Sequence, residues 1–163
     1  MSAQKQGPPD LGGRGGGWVA LQFALLGLAL LLGATDLSGW GEAYAGALRQ
    51  VGVLLVSAGV VVAVLAVVGL GSSLTPMPAP LENGRLRTDG VYGLVRHPIY
   101  SSLLLLVLGW CLLTSPRVLI PFALLAVVLD LKRQVEERWL DAAYPEYGAY
   151  RMRVRWALVP YLR

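Results

Sequence analysis

Two stretches of the chain hold residue types that can do chemistry. The first, Gly90-Val-Tyr-Gly-Leu-Val-Arg-His-Pro-Ile-Tyr100, contains the only histidine. The second runs from Arg133 to Glu137 and carries an arginine and two adjacent carboxylates. Pro98 suits the first turn of a helix, where no backbone N–H is needed. Arg96 and His97 therefore stand at a helix start, where charge and free amides can bind an anion. Arg133 and Glu137 lie four apart and share a helix face, whereas Glu136 and Glu137 diverge by roughly 100°. Taken singly, each feature is ordinary, because basic residues beside membrane helices are usually anchors. Side by side, they make a site for a ligand that bears both charges.

The elements that must position them are apolar. Of 163 residues, 55% are hydrophobic and only 15% charged, against about 25% charged in a soluble domain. Mean hydropathy is +0.57, so the class is membrane protein. Cys111 is the only cysteine, which excludes an intrachain disulfide. With one histidine and one cysteine, a zinc site has too few ligands. No metal is expected.

Four apolar runs follow one another. Residues 1–17, rich in Gly, Pro and Gln, are expected to form a disordered tail, and 18–163 a single membrane domain. Trp18–Ala34 is too long for the ~7–15-residue core of a signal peptide, and Thr35-Asp36 make no cleavage site, so it reads as a first span. A polar loop with Asp36 and Glu42 leads to Val51–Leu70, about the ~20 residues that a spanning helix requires. Its valines suggest strand in water, but in lipid the backbone must satisfy itself, which selects helix. Pro76, Pro78 and Pro80 stop it. Ile99–Thr114 and Val118–Leu131, joined by the turn Ser115-Pro116-Arg117, read as a helical hairpin. Both runs are short for a span, which calls for tilt or for helix continuing past the lipid face. The charged, aromatic segment 132–163 suits an interfacial helix or lid. The fold class is thus all-α and polytopic, with about four transmembrane helices.

Basic residues set the expected topology. Twelve of the fourteen fall in the N-terminal tail, the second loop and the C-terminal segment. Only Arg49 and Arg117 lie near the other turns. The positive-inside rule then makes both termini and the second loop cytoplasmic, and brings Arg96–Tyr100 and Arg133–Glu137 to one side of the membrane.

Arg96-His-Pro-Ile-Tyr100, preceded by Thr88-Asp-Gly-Val-Tyr92 and followed by the hairpin, Glu136-Glu137, Tyr147-x-x-Tyr150 and Val154…Pro160, resembles the isoprenylcysteine carboxyl methyltransferase and phospholipid methyltransferase family. The resemblance covers roughly residues 80–160. It implies an integral membrane enzyme that binds S-adenosylmethionine in a cytosol-facing pocket and draws its methyl acceptor from the lipid. By position, it implies cofactor contacts at Leu86, Arg87, Tyr92, His97, Pro98, Ile99, Tyr100 and Glu137. The acceptor-contacting arginine falls on Arg133. The chain departs from the pattern at Ser102, where the family often has glycine, and in a shortened acidic run, with Val135 before the pair and Arg138 after it.

These residue types fit methyl transfer, an in-line displacement on a sulfonium carbon that needs alignment and exclusion of water more than covalent help. Glu137 can hold the cofactor's ribose hydroxyls or amino group, Arg87 or the amides near His97 its carboxylate, and Tyr92 or Tyr100 its adenine. An amine acceptor also needs a base, for which Glu136 or His97 is the candidate. The expected partners are the membrane and a lipophilic acceptor bearing a carboxylate, thiol or amine, with no nucleic acid. The small size suits a bacterial plasma-membrane protein, for which a prenylated protein is not the expected substrate. Two other readings share these residues: a membrane reductase of the sterol-reductase type using NADPH, and a non-catalytic scaffold whose basic face binds anionic lipid.

Overall fold

The computed structural model describes residues 7–35 and 39–158. Asp36, Pro160 and the basic residues Lys5 and Arg163 lie outside them. The described residues are all helix and connection, with no strand. Helix α1 covers Gly16–Thr35, α2 Glu42–Leu70, α3 Pro98–Leu113, α4 Leu119–Ala143 and α5 Tyr147–Arg153. The valine-rich second run is helical, as lipid requires. Helix α2 starts nine residues ahead of that run, because Glu42-Ala-Tyr-Ala-Gly-Ala-Leu offers no breaker once Gly41 has turned the chain at φ 78°.

Two of these helices, α1 and α2 with its following turn to Ser73, are long and apolar enough to cross a membrane. Helix α3 is apolar but shorter. Helix α4 is apolar only as far as Leu131, and its charged half then continues as helix to Ala143.

Four helices run back and forth, with α2 against α3 and α1 against α4. Small residues make the closest contact. The buried positions of α2 are Gly52, Gly59 and Ala66, each seven residues from the next, while Leu54, Val61 and Val68 point outward. A Cβ on Gly109 of α3 would lie 2.8 Å from the carbonyl oxygen of Gly52, so only glycine lets these two backbones approach. Ala29, Val107, Cys111, Val118, Leu125 and Leu129 fill the centre. Large apolar side chains line the outside of α1, α2 and α4, among them Phe23, Val68 and Ile120. An outward-facing apolar surface of this extent suits lipid better than water.

One end of the bundle is tied by Trp40, whose Nε1 donates to the Cys111 carbonyl at 2.9 Å. The other end gathers the 71–97 connection, the charged half of α4, α5 and the segment beyond it. This is where both chemistry-bearing stretches meet.

Candidate active site

Pro98 is the first residue of α3 and His97 caps it, so the motif sits at the helix mouth. Its backbone is held from behind. The Arg96 and His97 amides donate to the Trp156 and Ala157 carbonyls at 3.0 and 2.9 Å, and Ser101 Oγ donates to the Leu158 carbonyl. Tyr150 of α5 donates from its hydroxyl to the Tyr92 carbonyl at 2.7 Å, and Tyr92 donates to the Ala66 carbonyl of α2 at 3.3 Å. Ser102 is buried and returns its hydroxyl to the Ile99 carbonyl at 2.7 Å. The helix therefore accommodates serine where the family often has glycine.

Arg96 joins the two stretches. Its Nε and one terminal nitrogen bind Glu137 Oε1 at 3.0 and 2.8 Å, and the other terminal nitrogen donates to the Val154 and Arg155 carbonyls at 2.8 and 3.0 Å. With these donors spent on the protein, Arg96 positions the site and is not the free anion ligand that its place at the helix mouth suggested. His97 is 4% exposed and lies between two carboxylates, Nε2 3.1 Å from Glu137 Oε1 and Nδ1 3.5 Å from Glu136 Oε2. Tyr100 donates to the same Glu136 oxygen at 2.5 Å, and its ring stacks on His97 at 5.4 Å between centroids.

Electrostatics follow from this crowding. Burial alone would lower the His97 pKa, but the charge and hydrogen bond of Glu136, and then Glu137, outweigh it and raise it. Burial would raise Glu137, yet hydrogen bonds and charge from His97 and Arg96 bring it down to about 2. Glu136 is lowered too, against its burial, chiefly by His97. Both carboxylates are held ionised and the imidazole is drawn toward its cation.

Two cavities meet at this cluster. The wider, about 340 Å³, is largely apolar and is walled by Phe23 and Leu26 of α1, Val67 of α2, and Leu103 of α3. Among the residues expected to touch the cofactor, it takes Tyr92, His97, Pro98, Ile99 and Tyr100. The narrower, about 80 Å³, is lined by Leu86, Arg87, Tyr92, Tyr144, Tyr147 and Tyr150. Tyr92, Arg96 and Glu136 line both. In the narrow cavity, Arg87 Nε and the Tyr147 hydroxyl are buried without a hydrogen-bond partner among the described residues. A buried donor without a partner is costly.

The residues singled out in the sequence come together here, but not in equal standing. Glu136 opens on both cavities, whereas Glu137 and Arg133 line neither. Arg133 is bound to Asp130 at 2.7 Å and sits 3.3 Å from Glu137 Oε2, which leaves it bracing α4. Besides Arg96, the wide cavity is lined by the cation Lys132, held by Gln22 of α1. Neither was singled out. The available signal was Gln22 itself, a lone polar residue in an apolar run. Among the described residues, no cluster of three or more metal-ligating side chains exists.

The family model for phospholipid methyltransferase matches residues 48–147, from early α2 to the first residue of α5. No curated protein and no solved structure matches the chain. The match spans the motif loop, the hairpin and both carboxylates, and leaves α1 outside. The chain belongs to the phospholipid methyltransferase family, a family of methyltransferases that act on membrane lipids and lipid-like substrates.

Proposed function

We propose that the chain is an S-adenosylmethionine-dependent methyltransferase whose acceptor is a lipophilic molecule taken from the membrane. The observation that carries this reading is the pair of adjoining cavities, about 80 and 340 Å³, that share Tyr92, Arg96 and Glu136 as a common wall. A methyl donor and an acceptor held in adjoining cavities would be kept close together, and proximity and alignment can supply much of the rate.

The residues present fit the donor if its amino-acid end takes the narrow cavity and the rest extends past Tyr92 and His97 into the wide one. Arg87 Nε and the Tyr147 hydroxyl are buried donors that await an acceptor, which the cofactor's carboxylate supplies. Tyr92 offers a ring at the junction, and the ionised Glu136 faces the positive sulfonium. When bound, S-adenosylmethionine supplies an activated methyl group. The wide cavity, at about 340 Å³, falls in the range of small-molecule sites. Its walls on α1 and α2 include the outward-facing Phe23 and Val67, so an apolar tail has a route in from lipid.

In the same reading, α3 and the first half of α4 cross the bilayer as a tilted hairpin beside α1 and α2. The basic residues gathered at the site end support a cytoplasmic pocket. Equilibrium binding of labelled S-adenosylmethionine to the purified chain in detergent tests the assignment. Saturable binding is expected, weakened about tenfold or more by Arg87→Met, His97→Ala and Tyr147→Phe. Unaltered cofactor binding in all three variants would sink the site.

A further inference from the structure

Lys132 is 1% exposed, yet it lines the wide cavity. Its Nζ donates to Gln22 Oε1 at 2.7 Å and stands 5.1 Å from the centre of the Tyr100 ring. An ammonium has three donors, and Gln22 takes the only one with a hydrogen bond among the described residues. None of the described carboxylates is ion-paired with it. The nearby Glu136 is already engaged by Tyr100 and His97. The other charged groups lining this cavity are paired within the protein, Arg96 with Glu137 and His97 with Glu136, which leaves Lys132 as the buried cation with donors to spare. Such a cation is expensive unless an anion completes it.

We propose that Lys132, oriented by Gln22, selects the charge of the methyl acceptor: an apolar tail ending in an anion, a carboxylate or thiolate, is taken, and an ammonium headgroup is rejected. This rests on the methyltransferase reading and deepens it. Like charges a few ångströms apart in a site of low dielectric repel strongly, so an aminolipid meets a barrier here that an acid does not. The same cation lowers the proton affinity of an acid or thiol, which raises the fraction in its nucleophilic form. The chemistry then balances without a base. The acceptor's lone pair forms the bond to the methyl carbon as the carbon–sulfur bond breaks, and that electron pair stays on sulfur. The acceptor's negative charge and the sulfonium's positive charge disappear together, with no proton to move. Lys132 lies inside the segment that matches the family, and Gln22, which orients it, lies on α1 outside that segment.

Competition binding to the full chain in detergent tests it, using dodecanoate, dodecanethiol and dodecylamine as probes and no cofactor. Dodecanoate or the thiol should bind at least tenfold more tightly than the amine. In Lys132→Met that preference should collapse to within about twofold, and Gln22→Leu should reduce it in part. Equal binding of the amine by the unaltered chain, or an anion preference that survives Lys132→Met, overturns the proposal. Labelled S-adenosylmethionine binding, measured on the same samples, separates the two ideas. Anion selection without cofactor binding refutes the methyltransferase reading alone, and cofactor binding without anion selection refutes the role of Lys132 alone.

Discussion

Arg96 grips one oxygen of Glu137 with two nitrogens, at 3.0 and 2.8 Å, across 41 residues of sequence. Both side chains are about nine-tenths buried. The contact locks the mouth of α3 to the charged half of α4, which is what brings the motif loop and the carboxylate pair to a common wall. Removing one member of a buried pair strands the other, at a cost of roughly 3–5 kcal/mol. Arg96→Met should therefore destabilise the chain by about that much, and Glu137→Gln by less, since its amide oxygen still accepts. Chemical unfolding in detergent, with the double variant closing the cycle, checks it. Additive losses would mean that the two residues act independently.

Stability should depend on pH through His97. Its folded pKa is raised above the ordinary 6.5, so its contribution is complete below that value and is lost as pH rises through the folded value. Glu137 works in the other direction: lowered from 4.5 to about 2, it contributes above pH 4.5 and is lost as pH falls through about 2. Both contributions are whole between pH 4.5 and 6.5. Thermal unfolding midpoints should fall from that window toward pH 9, and His97→Asn should flatten the fall. An alkaline limb of unchanged slope in His97→Asn would assign it to another group.

The contact of α2 with α3 depends on the absence of side chains. A Cβ at Gly109 would stand 2.7 Å from Val56 Cγ2 and 2.8 Å from the Gly52 carbonyl oxygen, and the second of these is backbone. Gly109→Ala should force the helices apart at a cost of roughly 1–3 kcal/mol. The wide cavity spans both helices, with Val67 and Leu70 on one and Ile99 and Leu103 on the other. Acceptor binding should therefore weaken more than cofactor binding. Measuring both affinities on one preparation checks the order, and a larger loss for the cofactor would contradict it.

Much of this was legible in the sequence. Hydropathy marks the four runs, because in lipid only helix satisfies the backbone, and Pro98 fixes where α3 begins. The charge pattern brings Arg96–Tyr100 beside Arg133–Glu137, and the structure joins them through Arg96 and His97. What spacing cannot give is which side chain turns inward. Arg133 and Glu137 share a face as helix geometry requires, but that face is turned to Asp130 and Arg96, while Lys132 and Glu136, one residue earlier in each case, reach the cavity. Gln22 and Lys132 are 110 residues apart, and only the packing of α1 on α4 pairs them. Helix α2 begins at Glu42, ahead of the apolar run, because hydropathy marks where lipid begins and the alanine-rich residues before it are already helical.

The amides of Arg96 and His97 find their acceptors at Trp156 and Ala157. Order of synthesis gives this contact a meaning that geometry alone does not. All four long helices are complete by Ala143, so the bundle can pack before the residues that fasten the motif loop have been made. Until they arrive, Arg96 and His97 at the mouth of α3 have two amides without their carbonyl acceptors, which water must satisfy instead. Packing of the bundle and fastening of the loop are thus separable events in the life of the chain, and the second waits on residues that follow the last long helix.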